Sequence, residues 1–229
     1  MGRHDWYRLK SWTASDQEAF WARFNRSRSA SSKTQYLLIQ ARCLLSAGGS
    51  DLVAPALDLV ERVLREHADE AFLSDAHYTR AQCLSALQQF DEAFTSYRLS
   101  FAARRANPGM QNLAYLDFAW LVIETARADL HDEALRILDE FSGAGEVFPM
   151  HAYRNAAARA LIWSEQGDMD RAAIFAREAI AASSQSESPF RYHRDLGLVD
   201  EIDQKLQARL FALAAAQPGV APAGASPRR

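Results

Sequence analysis

Four alanines, Ala56, Ala93, Ala134 and Ala172, recur 37, 41 and 38 residues apart, each inside a stretch whose large apolar residues return every three or four positions. That short period belongs to helices and not to strands. A small residue repeated once per 40 or so positions marks where two helix axes cross at about 8 to 10 Å. A chain built this way is expected to be a stack of two-helix units, each burying an apolar stripe against the next.

The clearest unit is DAHYTRAQCLSALQQFDEAFTSYRLSFAARR, residues 75 to 105, with Ala81, Leu84, Phe90, Ala93 and Tyr97 at the small and large contact positions of a helical hairpin. Asp91 and Glu92 place acid at the start of its second helix, where the macrodipole favours it. LIWSEQGDMDRAAIFAREAI repeats the pattern with Ala160, Trp163, Gly167, Met169, Ala172 and Ala179, and Gly167 suits the positive φ that ends a helix. A weaker copy, FAWLVIETARADLHDEALRILDEF, has Leu121, Leu130, Ala134 and Leu138 but neither the glycine nor the small residue of the first helix. The most divergent copy begins YLLIQARCLLSAGGSD, with a Gly48-Gly49-Ser50 turn, Ala56, and Pro55 read as lying near a helix start.

These residues resemble the tetratricopeptide repeat family, most closely over 75 to 105 and 153 to 183, with four copies spanning residues 34 to 183. The family repeat is about 34 residues, so the wider spacing here implies longer helices or loops. The resemblance implies an all-α, right-handed α-solenoid of antiparallel helix hairpins with a capping helix at each end. The expected organisation is a capping segment over 1–33 with one helix, about four hairpins within 34–197, a capping helix over 198–216 and a disordered tail over 217–229.

In the amino-terminal segment, SDQEAFWARFNRSR reads as a helix with Ser15 and Glu18 at capping-box spacing and Phe20 and Phe24 on one face. Trp6, Tyr7 and Trp12 ahead of it either cap the first hairpin or form an aromatic patch for a partner. At the other end, Leu198, Ile202, Leu206 and Leu210 keep helical spacing.

Charge narrows the function. Residues 1 to 42 carry eight Lys or Arg against three Asp or Glu, so the excess acid that sets the net charge of −3 lies in the remainder. An acidic body disfavours phosphates, and nucleic acid is not an expected partner. The charged start, MGRHDWYRLK, has no apolar run behind it, and no stretch approaches the roughly 18 apolar residues of a membrane span. A cytoplasmic location is expected. Cys43 and Cys83 fall within apolar helical patterns and read as core thiols, neither disulfide nor zinc site.

No motif for catalysis stands out. The six histidines form no HxxxH or HExxH pair, and GxGxxG, GxxxxGK[ST] and GxSxG are absent. FSGAGEVFP reads as a loop between hairpins; His67 as a ring near a helix carboxyl end, where partial positive charge suits the dipole; His131 as a turn residue. An enzyme is not expected, nor a cofactor or metal.

The resemblance implies binding of a protein or peptide in a concave groove lined by the first helices. The candidate groove residues are Gln35, Arg42, Tyr78, Gln82, Trp120, Arg127 and Arg154, where aromatic area and forked arginines suit a mixed apolar and acidic ligand. The lysine and asparagine clamp by which chaperone-binding relatives grip a terminal carboxylate is missing, its places held by Ala41, Leu45, Tyr78 and Gln82. The leading expectation is an adaptor or assembly scaffold. The alternative is a stoichiometric inhibitor, such as an immunity or antitoxin protein, whose acidic body covers a basic partner. Homo-oligomers are compatible with either reading.

Overall fold

The computed structural model describes residues 5–109, 111–143, 148–200 and 202–216. The segment 217–229, expected to be a disordered tail, lies outside them, as does most of the loop in FSGAGEVFP. The described residues form α-helices and short 3-10 turns and no strand. They divide into two compact units, residues 1–114 and 115–229.

The first unit holds α1 (Ala14–Phe24), α2 (Ala30–Ser46), α3 (Ser50–Glu66), α4 (Leu73–Ala86) and α5 (Phe90–Ala106). Consecutive helices α2 and α3, and α4 and α5, are joined by three residues and pack along their length, while α4 also rests on α3 and α2. The second unit holds α6 (Ala114–Glu124), α7 (His131–Phe141), α8 (Pro149–Glu165), α9 (Met169–Ser183) and α10 (Gln204–Ala215). Here α8 and α9 form the closest pair, and α10 lies on both.

The alanine spacing carries over into packing. Ala56, Ala93, Ala134 and Ala172 have no exposed surface, and neither do Ala81 and Ala160. In the turns after α2, α4, α6 and α8 one residue takes a positive φ: Gly48 at 77°, Gln88 at 59°, Ala126 at 51° and Gly167 at 84°. In the last three turns the next residue donates its N–H five residues back, Gln89 to Leu84, Arg127 to Val122 and Asp168 to Trp163, at 2.9 to 3.0 Å. That bond closes a Schellman motif and satisfies a carbonyl the helix end leaves unpaired. Glycine is used at two of these turns, and at the other two Gln88 and Ala126 bear a steric cost of about 1 to 2 kcal/mol.

Helix starts differ from expectation in three places. α1 begins two residues early, because Thr13 and Asp16, not Ser15 and Glu18, form the capping box. Asp16 Oδ2 accepts from the Thr13 N–H at 2.9 Å, and the Asp16 N–H donates back to Thr13 Oγ1 at 3.2 Å. α10 begins at Gln204, not near Leu198: Asp203 caps it by accepting from the Leu206 N–H at 2.8 Å. Residues 198–200 and 202–203 are non-helical, and Val199 and Ile202 still pack on the core of the second unit. Pro55 lies in the second turn of α3, past the first four donors that a helix leaves unpaired, so its missing N–H removes an internal bond.

The amino-terminal segment folds onto its own unit. Tyr7 is buried, and Trp6 makes edge-on or tilted ring contacts with Tyr7, Phe20 and Tyr36 at 4.7 to 5.5 Å. Gln40, fully buried on α2, grips the backbone of Leu9 with both ends of its amide: Nε2 donates to the Leu9 carbonyl at 2.8 Å and Oε1 accepts from its N–H at 2.9 Å. Trp6, Tyr7 and Trp12 therefore belong to the core around α2 and α3.

Candidate functional site

In the first unit, α2 and α4 lie side by side and the segment after α5 closes over them, leaving a cleft of about 590 Å³. A volume of this size suits a small ligand or a few residues of peptide. Arg42, Leu45 and Ser46 line it from α2, Asp75, Tyr78 and Gln82 from α4, and Gln111, Asn112 and Leu113 from the linker ahead of α6. The helical period explains the first two groups. Positions 42, 45 and 46 share one face of α2, and 75, 78 and 82 one face of α4.

The two ionised residues of the cleft face each other. Arg42 Nη2 lies 2.9 Å from Asp75 Oδ2, and Arg42 Nε donates to Thr79 Oγ1 at 3.2 Å. Thr79, fully buried, donates in turn to the Asp75 carbonyl at 2.8 Å. The second carboxylate oxygen of Asp75 accepts from Asn112 Nδ2 at 3.1 Å, and the same amide reaches Ser74 Oγ at 3.0 Å. Ser74 is locked to the Ser100 hydroxyl and backbone of α5, so one chain of bonds ties α2, α4, α5 and the linker.

The second unit repeats the device. Arg154 Nη2 of α8 lies 2.8 Å from Asp117 Oδ1 of α6, and Trp120 Nε1 donates to the Arg154 carbonyl at 3.2 Å. In both units a cation on one first helix meets a carboxylate on the first helix of another pair.

The seven sequence-selected residues thus separate. Arg42, Tyr78 and Gln82 share the cleft of the first unit, and Trp120 and Arg154 share the α6–α8 contact of the second. Gln35 is exposed on α2, two turns before Arg42 and outside the lining. Arg127 lies past the end of α6 in the turn, forked onto Asp129 by two bonds of 2.9 Å. The expectation of forked arginines ready for an acidic ligand meets guanidinium groups of Arg42 and Arg154 already held by aspartates. Asp75 and Asn112 were absent from the sequence selection. Asp75 was open to detection, sitting one turn ahead of Tyr78 on the same face, but no periodicity locates Asn112 in a linker.

Cys83 is fully buried, which pushes its thiol up to about 12, and burial also raises Cys43. His67, expected to be partly positive, is instead held below its ordinary value by burial against Phe24, outweighing nearby Glu66. His131 is the first residue of α7 and buried, not in a turn, with Nε2 at 3.3 Å from Glu165 Oε2. Among the described residues, no three His, Cys, Asp or Glu side chains gather as a metal site, and no helix is long and apolar enough to cross a membrane.

No protein-family model matches this chain, and no curated protein or solved structure does either.

Proposed function

We propose that the chain is a non-catalytic protein-binding module of the tetratricopeptide-like helical-repeat type, an adaptor or assembly scaffold that holds a peptide segment in the cleft beside α2 and α4. The observation that carries this reading is the cleft itself. It is open, of ligand size, and lined by an aromatic ring, two leucines and side-chain amides. The repeat reading is supported by the buried alanines at 56, 93, 134 and 172 and by the positive-φ turns at 48, 88, 126 and 167, which recur at nearly the same interval. Repeated hairpins of this kind stack into extended surfaces that serve as binding faces.

A random peptide library displayed against the immobilised full chain tests the proposal. Binders should compete with one another, and Tyr78→Ala with Gln82→Ala should weaken them about tenfold or more, as loss of a central aromatic anchor does. A library that yields no binder, or binders indifferent to both substitutions, removes the reading.

A further inference from the structure

We infer that the second unit carries a self-association surface, built from residues 187–196 and the start of α8, whose occupant is the same surface of a second copy of this chain. It goes beyond the cleft of the first unit and stands or falls separately from it.

The observation is a gathering of exposed apolar side chains. Residues 189–196 are all exposed, and among them Tyr192 keeps 86%, Leu196 50% and Phe190 42% of its surface in water. Met150, in the first turn of α8, adds a fourth at 40%. The segment is folded on itself. The Ser188 N–H donates to the Arg194 carbonyl at 3.0 Å, the His193 N–H to Phe190 at 2.9 Å and the Leu196 N–H to His193 at 3.1 Å. It is also fastened to the start of α8: Phe190 stacks on Phe148 with ring centres 5.4 Å apart, and the Met150 N–H donates to the Gly197 carbonyl at 2.9 Å. Gly197 holds a φ of 77°, and a Cβ on it would meet Phe148 at 2.0 Å, so its backbone lies directly on that ring. Aromatic rings, methionine and leucine fixed together facing water are the anchors of an interface.

Charge selects the occupant. Between 187 and 196 lie two acids, Glu187 and Asp195, and two bases, Arg191 and Arg194. All four are exposed, and none forms an ion pair with a described residue. A partner of a single sign would be repelled by half of them. A second copy brings the same two acids and two bases, and under a two-fold axis each pairing of arginine with acid is made twice. The surface is small. Roughly ten residues a side fall short of the 20 to 30 of a standard interface, so a weak dimer is expected, with a Kd of about 1 to 100 μM.

Sedimentation equilibrium of the full chain from about 1 to 300 μM brackets that Kd, and the mean mass should climb from that of one chain toward that of two. Tyr192→Ser with Leu196→Ser should weaken association about tenfold or more while leaving the circular dichroism spectrum unchanged, since both side chains are exposed in the single chain. Charge reversal tests the pairing. Arg191→Glu with Arg194→Glu, and separately Glu187→Arg with Asp195→Arg, should each self-associate about tenfold less well than the parent, because like charges then meet across the axis. An equimolar mixture of the two reversed variants should associate at least as tightly as the parent. A chain that stays monomeric throughout overturns the inference, as does a dimer indifferent to Tyr192 and Leu196. A mixture no tighter than either reversed variant alone overturns it as well.

Discussion

The core around α1 to α3 of the first unit is packed with rings, and the core around α8 to α10 of the second with alanines. Phe20, Phe24, Leu37 and Leu44 are fully buried in one, together with the partly buried Trp6, Trp12 and Trp21. The α8 to α10 cluster buries Ala156, Ala157, Ala160, Ala172, Ala176, Ala179 and Ala182 together with Tyr153, Leu210 and Leu213. Both bury apolar surface, but by opposite means. A ring fills space between helices held apart, and its loss opens a void. An alanine lets helices approach, and a larger side chain there forces them apart. These two cores should therefore fail under opposite substitutions.

The largest effect should come from emptying the aromatic core. Phe24→Ala should cost about 3 to 5 kcal/mol, because it deletes a fully buried ring against Phe20, Trp21 and His67. Urea unfolding followed by tryptophan fluorescence measures it. A loss below about 1 kcal/mol would mean that the aromatic segment closes over the gap and the contrast is false.

Next comes overpacking. Ala172→Leu should cost about 1 to 3 kcal/mol in the second unit, since Ala172 has no exposed surface and lies among other alanines. An unchanged unfolding midpoint would remove the close helix crossing at this position.

The turns sharpen the comparison within each unit. Gln88→Gly in the first and Ala126→Gly in the second should each raise stability by about 1 kcal/mol, because both residues hold a left-handed φ that glycine adopts freely. Gly167→Ala should lower it by a similar amount. A Cβ there would touch nothing within 4 Å, so only the φ of 84° is at issue. Identical midpoints for all three variants would show that the turns carry no strain.

The smallest effect is a pH response assigned to the first unit. Burial lowers the pKa of both His67 and His77 from the ordinary 6.5. The unfolded chain thus binds protons more readily than the folded one. The stability that the neutral rings allow is complete above the unfolded value and is lost as pH falls through it toward the folded values. The urea midpoint should fall between about pH 7 and pH 5, and His77→Gln should shrink that fall. A midpoint that rises on acidification would show that neither ring is held neutral.

Legibility in the sequence tracked the range of the forces involved. The hairpins, the alanine positions, the acidic first turn of α5 and the glycines at 48 and 167 are each set by residues within a few positions of one another. Steric and capping preferences act over that same distance, so they can be read along the chain. Helix starts were less secure, because two capping boxes, Thr13 with Asp16 and Ser15 with Glu18, compete within six residues. The winner lets Gln17 reach the Trp12 carbonyl at 3.2 Å as well. The α10 start was missed for a related reason: Leu198 and Ile202 keep helical spacing, yet Asp203 offers a cap, and Val199 and Ile202 pack against the core without helix.

The sequence by itself determined the all-helical fold of the described residues, since the apolar period of three to four residues belongs to helices and not to strands. Only the tertiary structure decided which charges would be spent and where. Arg42 and Asp75 stand 33 positions apart, Leu9 and Gln40 stand 31 apart, and Asn112 lies in a linker without periodicity. Nothing local distinguishes an arginine destined for an internal aspartate from one that faces a ligand. That choice depends on which side chains folding brings within 3 Å.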